Sequence, residues 1–561
     1  MKSVTSIVLL SSFALAACGT PATVATPAPG PAPSRAPVVT RAGTAPTIVP
    51  PVTLAEAPKD WQLLDESTDH IPGISAARAM NEVLAGKTPK RAVLVAIIDG
   101  GIDTAQVDLK ANLWSNPKEI AGNGKDDDNN GFVDDVHGWD FIGGKDSQDV
   151  NFDTFEVTRE YARCHGKDAA SGAPPITDAE RCKQVDDAFA KQRKETEGTV
   201  DNINGAYQVM KQIVPMLQRA VGGDSLTLAR VRALKPSDPQ LVRAQSIYIQ
   251  LVSQGATLEA LSDQLETFQD QLKYNLNPDF NPRGTVGDNY TDLSEHHYGN
   301  SDVMGPDASH GTHVAGIIGA LRGNGVGIDG IATSVRFMMI RTVPNGDERD
   351  KDVGNAIRYA VDNGAQIISM SFGKPFSPFK SAVDDAVRYA DSKGVLMVHA
   401  AGNDGEDLAK SKNFPTPVYL DGGHPTHWIE VGASSWKGGD ELAAPFSNYG
   451  KNEVDVFAPG VDILSSVPGN KFQRMSGTSM AAPVVSGLAA LIMEYYPNLS
   501  SAEVKQIILQ SVAKHTTQQV NRPGEGSEKI SFGSLSATGG IVNAYNALKL
   551  AEQMSATKTR P

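Results

Sequence analysis

The sequence is poor in cysteine, has no excess of positive charge and, beyond its N-terminal segment, has no apolar run long enough to predict a transmembrane helix. Three cysteines in 561 residues exclude a fold held together mainly by disulfides. The net charge of −14 argues against nucleic acid as a partner. With 40% hydrophobic and 21% charged residues, the composition is that of a globular protein. The length allows one large α/β domain with additions, or several domains.

The N-terminal segment has the features of an export signal. Lys2 is followed by an apolar core at residues 7–17 that is too short to span a bilayer. The core ends in Leu-Ala-Ala-Cys-Gly, which resembles the bacterial lipobox, so residues 1–18 are predicted to be a lipoprotein signal peptide with Cys18 lipidated. Gly19, in place of aspartate, favours the outer membrane, facing the periplasm or the cell surface. A plain secretory signal with a chance cysteine is the alternative.

The next segment, residues 19–57, is rich in proline, alanine and threonine. Such a composition cannot bury a core and predicts a stiff, extended tether. Together with the lipid anchor, it would hold a globular body away from the membrane.

A run of small residues at 476–479, Ser-Gly-Thr-Ser, precedes a nearly continuous apolar stretch that reaches Ile492. The apolar stretch predicts a helix that is buried on most sides. Ser479 then lies in the first turn, where backbone N–H groups lack partners and partial positive charge favours a developing anion. A nucleophilic hydroxyl fits this position, although the pattern taken alone favours an ordinary N-cap serine.

Three other polar residues stand at the ends of apolar segments. Residues 92–98 predict a buried parallel strand that ends at Asp99, and open α/β sheets carry their sites at such strand ends. His310 begins a buried helix, and Asn403 follows an apolar strand. After His310 the chain alternates between strand and helix, which predicts a mostly parallel sheet with helices on both faces. The predicted strands here are 335–341, 366–370 and 395–401.

An acidic segment at 121–140 contains the opening spacing of a calcium loop. Its oxygen donors are Asp126, Asp128, Asn130, Asp134 and Asp135. The twelfth position is His137 rather than glutamate, and no strong helices flank the segment, so it is not an EF-hand. We expect these residues to bind a structural Ca²⁺ ion, with a solvated acidic turn as the alternative.

Residues 145–300 have a different pattern, with apolar residues at helical spacing between positions 203 and 272. The pattern predicts an α-helical insertion, either a hairpin or a small bundle. Cys164 and Cys182 lie within it and can pair in an exported protein, but their distance in space is open.

Three stretches together resemble the subtilisin-like serine peptidases, the subtilase family. They are Val-Ala-Ile-Ile-Asp-Gly-Gly-Ile-Asp around Asp99, His-Gly-Thr-His-Val-Ala-Gly from His310, and Ser-Gly-Thr-Ser-Met-Ala-Ala-Pro around Ser479. Their order of Asp, His and Ser is that of subtilisin. The resemblance implies a three-layer α/β fold with a mostly parallel central sheet. We expect this peptidase domain at 58–144 and 301–555, with 145–300 as the helical insertion.

The resemblance also implies the chemistry. Ser479 would be the nucleophile, His310 the base that takes its proton, and Asp99 the group that orients the histidine. Asn403 and the Ser479 backbone N–H would donate to the oxyanion. The backbone of an extended substrate would pair with Ser371, Phe372 and Gly373. The second histidine of the motif, His313, is structural in the family.

Some features depart from the family pattern or extend it. The segment 58–91 before the first strand is too short for a separate propeptide domain, so we expect folding to proceed without one or with help from elsewhere. His399 stands where a small apolar residue is expected, and we predict that it is buried and hydrogen-bonded. Asp108 and the loop near Asn324 resemble a second calcium-binding turn of the family.

These observations predict a surface-tethered, monomeric serine endopeptidase that acts on polypeptides through an acyl-enzyme intermediate. A binding or assembly protein on a subtilase scaffold, with the insertion as its docking surface, is the alternative. An α/β-hydrolase esterase is disfavoured. It would need both an acid and a histidine after the serine, and His515 is the only histidine beyond Ser479.

Overall fold

The computed structural model of the protein describes residues 47–167, 174–223, 225–524, 526 and 528–558. The predicted signal peptide, Cys18 and most of the predicted tether lie outside the described residues. The described chain divides into two compact units. One contains Asp186–Asn277, and the other contains the described residues of Arg35–Val185 and Pro278–Pro561.

The larger unit contains all the strands of the described residues. They are β1 Val93–Asp99, β2 Gly138–Asp140, β3 Val335–Arg341, β4 Ile367–Met370, β5 Leu396–Ala400, β6 Trp428–Ser434, β7 Val456–Pro459, β8 Ile463–Val467, β9 Lys471–Met475, β10 Ala513–Lys514, β11 Gln519–Asn521, β12 Lys529–Ser531 and β13 Gly540–Ile541.

The α-helices of the described residues are α1 Glu66–Asp69, α2 Ala76–Glu82, α3 Glu156–Cys164, α4 Ala179–Val221, α5 Leu228–Ala233, α6 Pro239–Ser253, α7 Leu258–Asp270, α8 Ser309–Gly319, α9 Asp350–Asp362, α10 Lys380–Ser392, α11 Thr478–Tyr495, α12 Ser501–Gln510 and α13 Ala544–Lys558.

A nine-stranded sheet with the order β10-β13-β7-β6-β5-β4-β1-β3-β2 forms the centre of the larger unit. Every pairing in it is parallel except that of β10 with β13. The strand order reverses at β1, which pairs with β3 on one side and β4 on the other. The carboxyl end of β1 is therefore the topological switch point, where open α/β sheets bind ligands.

The alternation of side chains along β1 builds the layers on the two faces. Val93, Val95 and Ile97 pack in one buried cluster with α8, α11, α12 and α13. Ala96 and Ile98 pack in a second cluster with α9 and α10. Successive strand residues point to opposite faces, so both faces of the sheet are covered by helices. The predicted three-layer α/β fold is confirmed.

Helix α11 is the central helix of the first layer. It is the one described helix that is long and apolar enough to cross a membrane, and 94% of that stretch is buried inside the fold. It packs on β4, β5, β6 and β7 and on α8. Its continuous apolar sequence is thus explained by burial on nearly all sides.

The last part of the predicted tether belongs to the folded body. The Thr47 N–H donates to the Lys514 carbonyl at 2.8 Å. Val49 is 1% exposed, and its N–H and carbonyl bond the side-chain amide of Gln518 at 2.8 and 3.0 Å. The Val52 N–H donates to the Lys437 carbonyl. The expected boundary at residue 57 is therefore about ten residues too late, because this extended segment finds backbone partners on the body.

The smaller unit is helical and has a core of its own. It contains most of α4 together with α5, α6 and α7. Its buried residues are Ile203, Met210, Ile213, Leu217, Val231, Ala244, Tyr248, Ala256, Leu261 and Leu265. This unit, Asp186–Asn277, is narrower than the predicted insertion of 145–300. The flanking residues on both sides belong to the larger unit.

Within the larger unit, buried ion pairs join the C-terminal flank of the insertion to α9. Arg283 is 4% exposed and bonds both carboxylate oxygens of Asp288 and of Asp352 at 2.6–2.8 Å. Lys351 bonds Asp288 and Glu295 at 2.7 and 2.8 Å. These charged side chains can be buried because each is paired, whereas single charges cannot.

A disulfide joins Cys164, the last residue of α3, to Cys182 in the first turn of α4. The pairing that the sequence left open is thus present, and it lies within the larger unit.

Candidate active site

The site lies at the carboxyl ends of the neighbouring strands β1 and β4. Ile98 pairs with Met370 in the last rung between them, so Asp99 and Ser371 follow side by side. Adjacent strands are about 4.8 Å apart. Two polar residues far apart in the chain are thereby brought to one place on the sheet edge.

Asp99 contacts His310 in the first turn of α8. The Nδ1 atom of His310 lies 2.8 and 3.0 Å from the two carboxylate oxygens of Asp99. A carboxylate only accepts, so Nδ1 carries the hydrogen and Nε2 is left as the acceptor nitrogen. The close approach of α8 needs glycine at 311, because a Cβ atom there would stand 2.2 Å from the Gly101 carbonyl oxygen.

The surroundings of His310 favour the protonated form of its ring. Desolvation disfavours the charged ring, but the charge of Asp99 and its hydrogen bond outweigh it, with a further contribution from Asp307. Together they raise the pKa of His310 above its ordinary value of 6.5. The side chain is 41% exposed, whereas that of Asp99 is 3% exposed. The imidazole can therefore be reached from solvent while its carboxylate partner is shielded.

Ser479 is the second residue of α11 and lies directly over the end of β4. Its hydroxyl donates to the Ser371 carbonyl at 3.1 Å, and the Ser371 hydroxyl donates to the Ser479 carbonyl at 3.0 Å. This reciprocal pair ties the start of α11 to the end of β4. Within the described residues, the Ser479 hydroxyl donates to the Ser371 carbonyl and makes no hydrogen bond to His310.

Asn403 follows β5 and is oriented by Thr478. Its Oδ1 accepts from the Thr478 backbone N–H at 2.8 Å and from the Thr478 hydroxyl at 3.0 Å. A backbone N–H only donates, so the bonded atom is the oxygen and the amide nitrogen points elsewhere. Asn403 is exposed, and its amide nitrogen and oxygen both lie within 3.7 Å of the place that a Cβ atom would occupy at Gly477. The side-chain amide thus lies beside the start of α11, where helix N–H groups lack partners.

His313 is buried and bonds the hairpin that leads to Ser479. Its Nε2 lies 3.0 Å from the carbonyls of Ile463 in β8 and Gln473 in β9, so this nitrogen carries a hydrogen and donates to both. Burial lowers the pKa of His313 to about 3, so the ring is neutral. β8 and β9 form an antiparallel hairpin, and β9 ends at Met475, just before Ser476. His313 therefore has a structural position.

The predicted substrate-binding residues form an extended segment after β4. Ser371 and Phe372 are 5% and 8% exposed. A Cβ atom on Gly373 would lie 2.2 Å from Oδ1 of Asn413, so the close approach of that side chain requires glycine. In the described part of the chain, no hydrogen bond engages the N–H or carbonyl of Gly373. One backbone edge of the segment is therefore available.

The acidic segment brings three carboxylates together, but they are not the full predicted set. Oxygen atoms of Glu119, Asp126 and Asp128 lie within 4.8 Å of one another. Asp134 instead accepts from the backbone N–H groups of Asn123 and Gly124.

Asp135 is buried and accepts from Tyr359, Asn116 and Asn130, whose amide is thereby engaged. Glu119 precedes the loop and belongs to no spacing pattern, so it could not be recognised from the sequence. Its Oε2 atom is buried and has no hydrogen-bond partner among the described residues. Three hard oxygen donors, one of them unpaired, fit a Ca²⁺ ion.

The second calcium-like turn is also assembled. The Asn324 side-chain amide donates to Oδ1 of Asp108 at 2.5 Å, and the Ile328 N–H reaches the other carboxylate oxygen at 3.3 Å. Burial raises the pKa of Asp108. Here the amide satisfies the carboxylate directly.

The chain belongs to the subtilase family, whose model it matches over residues 90–526. The family that the motifs predicted is thus confirmed. Over 241 residues it is 39% identical to the thermophilic serine proteinase of Bacillus sp. (strain AK1), which covers 43% of this chain and 52% of the relative. Over 222 residues it is 39% identical to the major intracellular serine protease of Bacillus subtilis (strain 168), covering 39% of this chain and 64% of the relative.

Subtilisin E of Bacillus subtilis (strain 168) is 36% identical over 201 residues, which cover 35% of this chain and 49% of that protein. The matched stretches span about half to two thirds of the length of these relatives.

Proposed function

We propose that this protein is a serine endopeptidase that hydrolyses polypeptides with Ser479 as its nucleophile. The observation that carries the proposal is the hydrogen-bonded Asp99–His310 pair at the end of β1, beside the end of β4, where Ser479 bonds Ser371. The relatives named as serine proteases support the same class of reaction.

In the proposed reaction, the Ser479 hydroxyl leaves the Ser371 carbonyl, turns about its Cα–Cβ bond and donates to His310. The imidazole takes the proton as the oxygen attacks the scissile carbonyl, and Asp99 stabilises the resulting cation. The proton then passes to the leaving amine, which departs and leaves an acyl-enzyme. Water hydrolyses the acyl-enzyme with His310 again as the base.

The negative charge that develops on the carbonyl oxygen would be bound by the Asn403 amide and the Ser479 backbone N–H. The amide oxygen of Asn403 is already bonded to Thr478, so the side chain is oriented before the reaction begins. Donors that are fixed before the reaction stabilise the transition state without a cost of reorganisation. The extended substrate would add as a strand to the edge of Ser371 and Gly373, once the Ser479 hydroxyl has left the Ser371 carbonyl.

The test uses the full-length protein and compares wild type with Ser479→Ala on casein. We expect hydrolysis by the wild type and its loss in the variant, with unchanged melting temperature. Ser476→Ala is the matched control, since this serine lies three residues away and its Oγ accepts from the Asp462 N–H. A folded wild type that cleaves no protein would refute the proposal.

We also propose that the enzyme is exported and tethered to the outer membrane through a lipid on Cys18. The lipobox-like sequence supports this, and so does the Cys164–Cys182 disulfide, because disulfides persist in oxidising compartments. Membrane fractionation of wild type and Cys18→Ala tests it. A variant that still partitions with membranes would exclude the lipid anchor.

Finally, we propose that Glu119, Asp126 and Asp128 bind a structural Ca²⁺ ion. The unpaired buried oxygen of Glu119 supports the site. The ion would offset two of the three carboxylate charges and cross-link the acidic loop, with no role in bond cleavage.

A further inference from the structure

Beside the predicted substrate-binding segment, Ser371–Gly373, lies the buried residue His399. β4 and β5 run in parallel, and the final pair of their ladder is Met370 with His399. After this rung β4 ends and the chain continues as Ser371, Phe372 and Gly373. The backbone of β5 therefore does not pair with this segment, although the segment must stay extended to pair with a substrate.

The His399 side chain replaces the missing backbone partner. Its Nε2 lies 2.9 Å from the Phe372 carbonyl oxygen, and its Nδ1 lies 2.9 Å from Oε1 of Glu430. The other oxygen of Glu430 accepts from the Trp428 indole N–H at 2.8 Å. His399 is 0% exposed and its ring centroid lies 5.4 Å from that of Trp428. Water cannot compete for the contact.

The protonation of this group follows from its partners. A carbonyl oxygen only accepts, so Nε2 of His399 carries a hydrogen. The bond between Nδ1 and Glu430 contains one further proton, which belongs either to an imidazolium beside a carboxylate or to a carboxylic acid beside a neutral ring. In both forms the pair has no net charge, and Nε2 donates to Phe372.

The direction of the neighbouring backbone groups links this contact to the substrate. In an extended segment, the N–H and carbonyl of successive residues point to alternate sides. The Phe372 carbonyl points to His399. The Lys374 N–H donates to the Phe414 carbonyl at 3.1 Å, and the Lys374 carbonyl accepts from the Phe414 N–H at 2.8 Å. Ser371 and Gly373 consequently face the opposite side, where a substrate strand would add.

We propose that His399, oriented by Glu430, is a positioning residue for substrate binding. It anchors the Phe372 carbonyl so that Ser371 and Gly373 present their backbone groups to an extended peptide. The inference rests on the proposed peptidase function. It goes beyond the expectation that His399 is simply a satisfied residue of the core, because it predicts an effect that depends on the length of the substrate.

The experiment compares two full-length variants, His399→Gln and His399→Leu. Both fill the space of the ring, but only glutamine can donate to the Phe372 carbonyl. For each, kcat/KM is measured on a tetrapeptide p-nitroanilide that the wild type cleaves and on p-nitrophenyl acetate. The acetate is too small to pair with the segment. The ratio of the two values cancels differences in the fraction of folded enzyme.

We expect the peptide-to-ester ratio of His399→Leu to fall about tenfold below that of His399→Gln, mainly through KM, as for the loss of one buried hydrogen bond. The matched control is His427→Leu. His427 also pairs with a carboxylate, Nδ1 to Asp391 at 2.8 Å, but it precedes β6 at the opposite end of the sheet. Its ratio should remain that of the wild type.

Equal ratios in the leucine and glutamine variants would overturn the proposal, and so would an equal loss on both substrates. If His399→Leu does not fold, His399→Asn takes its place, because its shorter amide cannot span to the carbonyl. A wild type that hydrolyses neither substrate would refute the peptidase function, and this inference with it. A wild type that cleaves the peptide, with a ratio insensitive to residue 399, would refute this inference alone.

Discussion

Replacing Asn403 by leucine tests the oxyanion donor directly. The side chains have nearly the same shape, but leucine has no amide N–H. If the Asn403 amide binds the developing oxyanion, its removal should cost about 2.7–4 kcal/mol of transition-state stabilisation, or about 10²–10³ in kcat. This is the magnitude known for the equivalent loss in subtilisin. KM should change little, because the donor is aimed at the oxyanion and not at the ground-state carbonyl.

The structure adds a second, smaller effect of the same substitution. The Thr478 backbone N–H and hydroxyl both lose their acceptor on Asn403. An unsatisfied buried donor costs about 1–3 kcal/mol, so the variant should also melt at a lower temperature. Measuring kcat per active site, by titration with a sulfonyl fluoride that labels Ser479, separates the loss of rate from the loss of folded protein.

Asn448→Leu is the control for structural damage. Asn448 is 1% exposed, and its amide is engaged by the Ala401 carbonyl and by the N–H groups of Asp404 and Glu406. This substitution should lower the melting temperature without a hundredfold loss of kcat per labelled site. The reasoning about Asn403 fails if its leucine variant keeps kcat within fivefold of wild type, or if the loss is entirely in KM.

Three further predictions follow from the geometry. Asp99→Asn should lower kcat roughly 10⁴-fold, the loss typical of replacing a triad carboxylate by its amide. The acid limb of its pH–rate profile should also move to lower pH, because without the carboxylate charge the imidazolium loses the interaction that raises its pKa above 6.5. Ca²⁺ at 100 times its Kd should stabilise the wild type by about 2.7 kcal/mol in thermal melts. Asp126→Asn should lose this stabilisation, whereas Asp134→Asn should keep it. Equal responses of the two variants would exclude the site. Replacing Cys164 and Cys182 by serine should cost about 3 kcal/mol in denaturant unfolding, and reductant should lower wild-type stability to the same level but leave the double variant unchanged.

Four strands of the central sheet could be predicted closely from the sequence, including β1. The predicted strands at 335–341, 366–370 and 395–401 correspond to β3, β4 and β5 within one residue at each end. Their apolar runs are continuous because both faces of a parallel sheet are covered, which makes the pattern easy to recognise. The motifs around Asp99, His310 and Ser479 were equally readable, since each is a local run of residues.

The limits of the prediction lie where the structure depends on partners distant in the chain. The tether was predicted to reach residue 57, but Val49 finds a hydrogen-bond partner in Gln518. The helical insertion was predicted too wide, because its flanks belong to the larger unit through contacts distant in the chain, such as the ion pair of Arg283 with Asp352. Glu119 lay outside any recognisable spacing, and it joins the acidic loop only in three dimensions.

By itself the sequence determined the family, the three-layer fold and the identity of the candidate triad, because hydrophobic periodicity and motif chemistry are local properties. The tertiary structure alone decided which nitrogen of His310 bonds Asp99, which carboxylates lie close together, and that His399 bonds the Phe372 carbonyl. Those relations depend on which residues pair across neighbouring strands and on which face of the sheet each side chain points to. Asp99 and His310 are separated by 211 positions, and they meet because β1 ends beside the helix that carries the histidine.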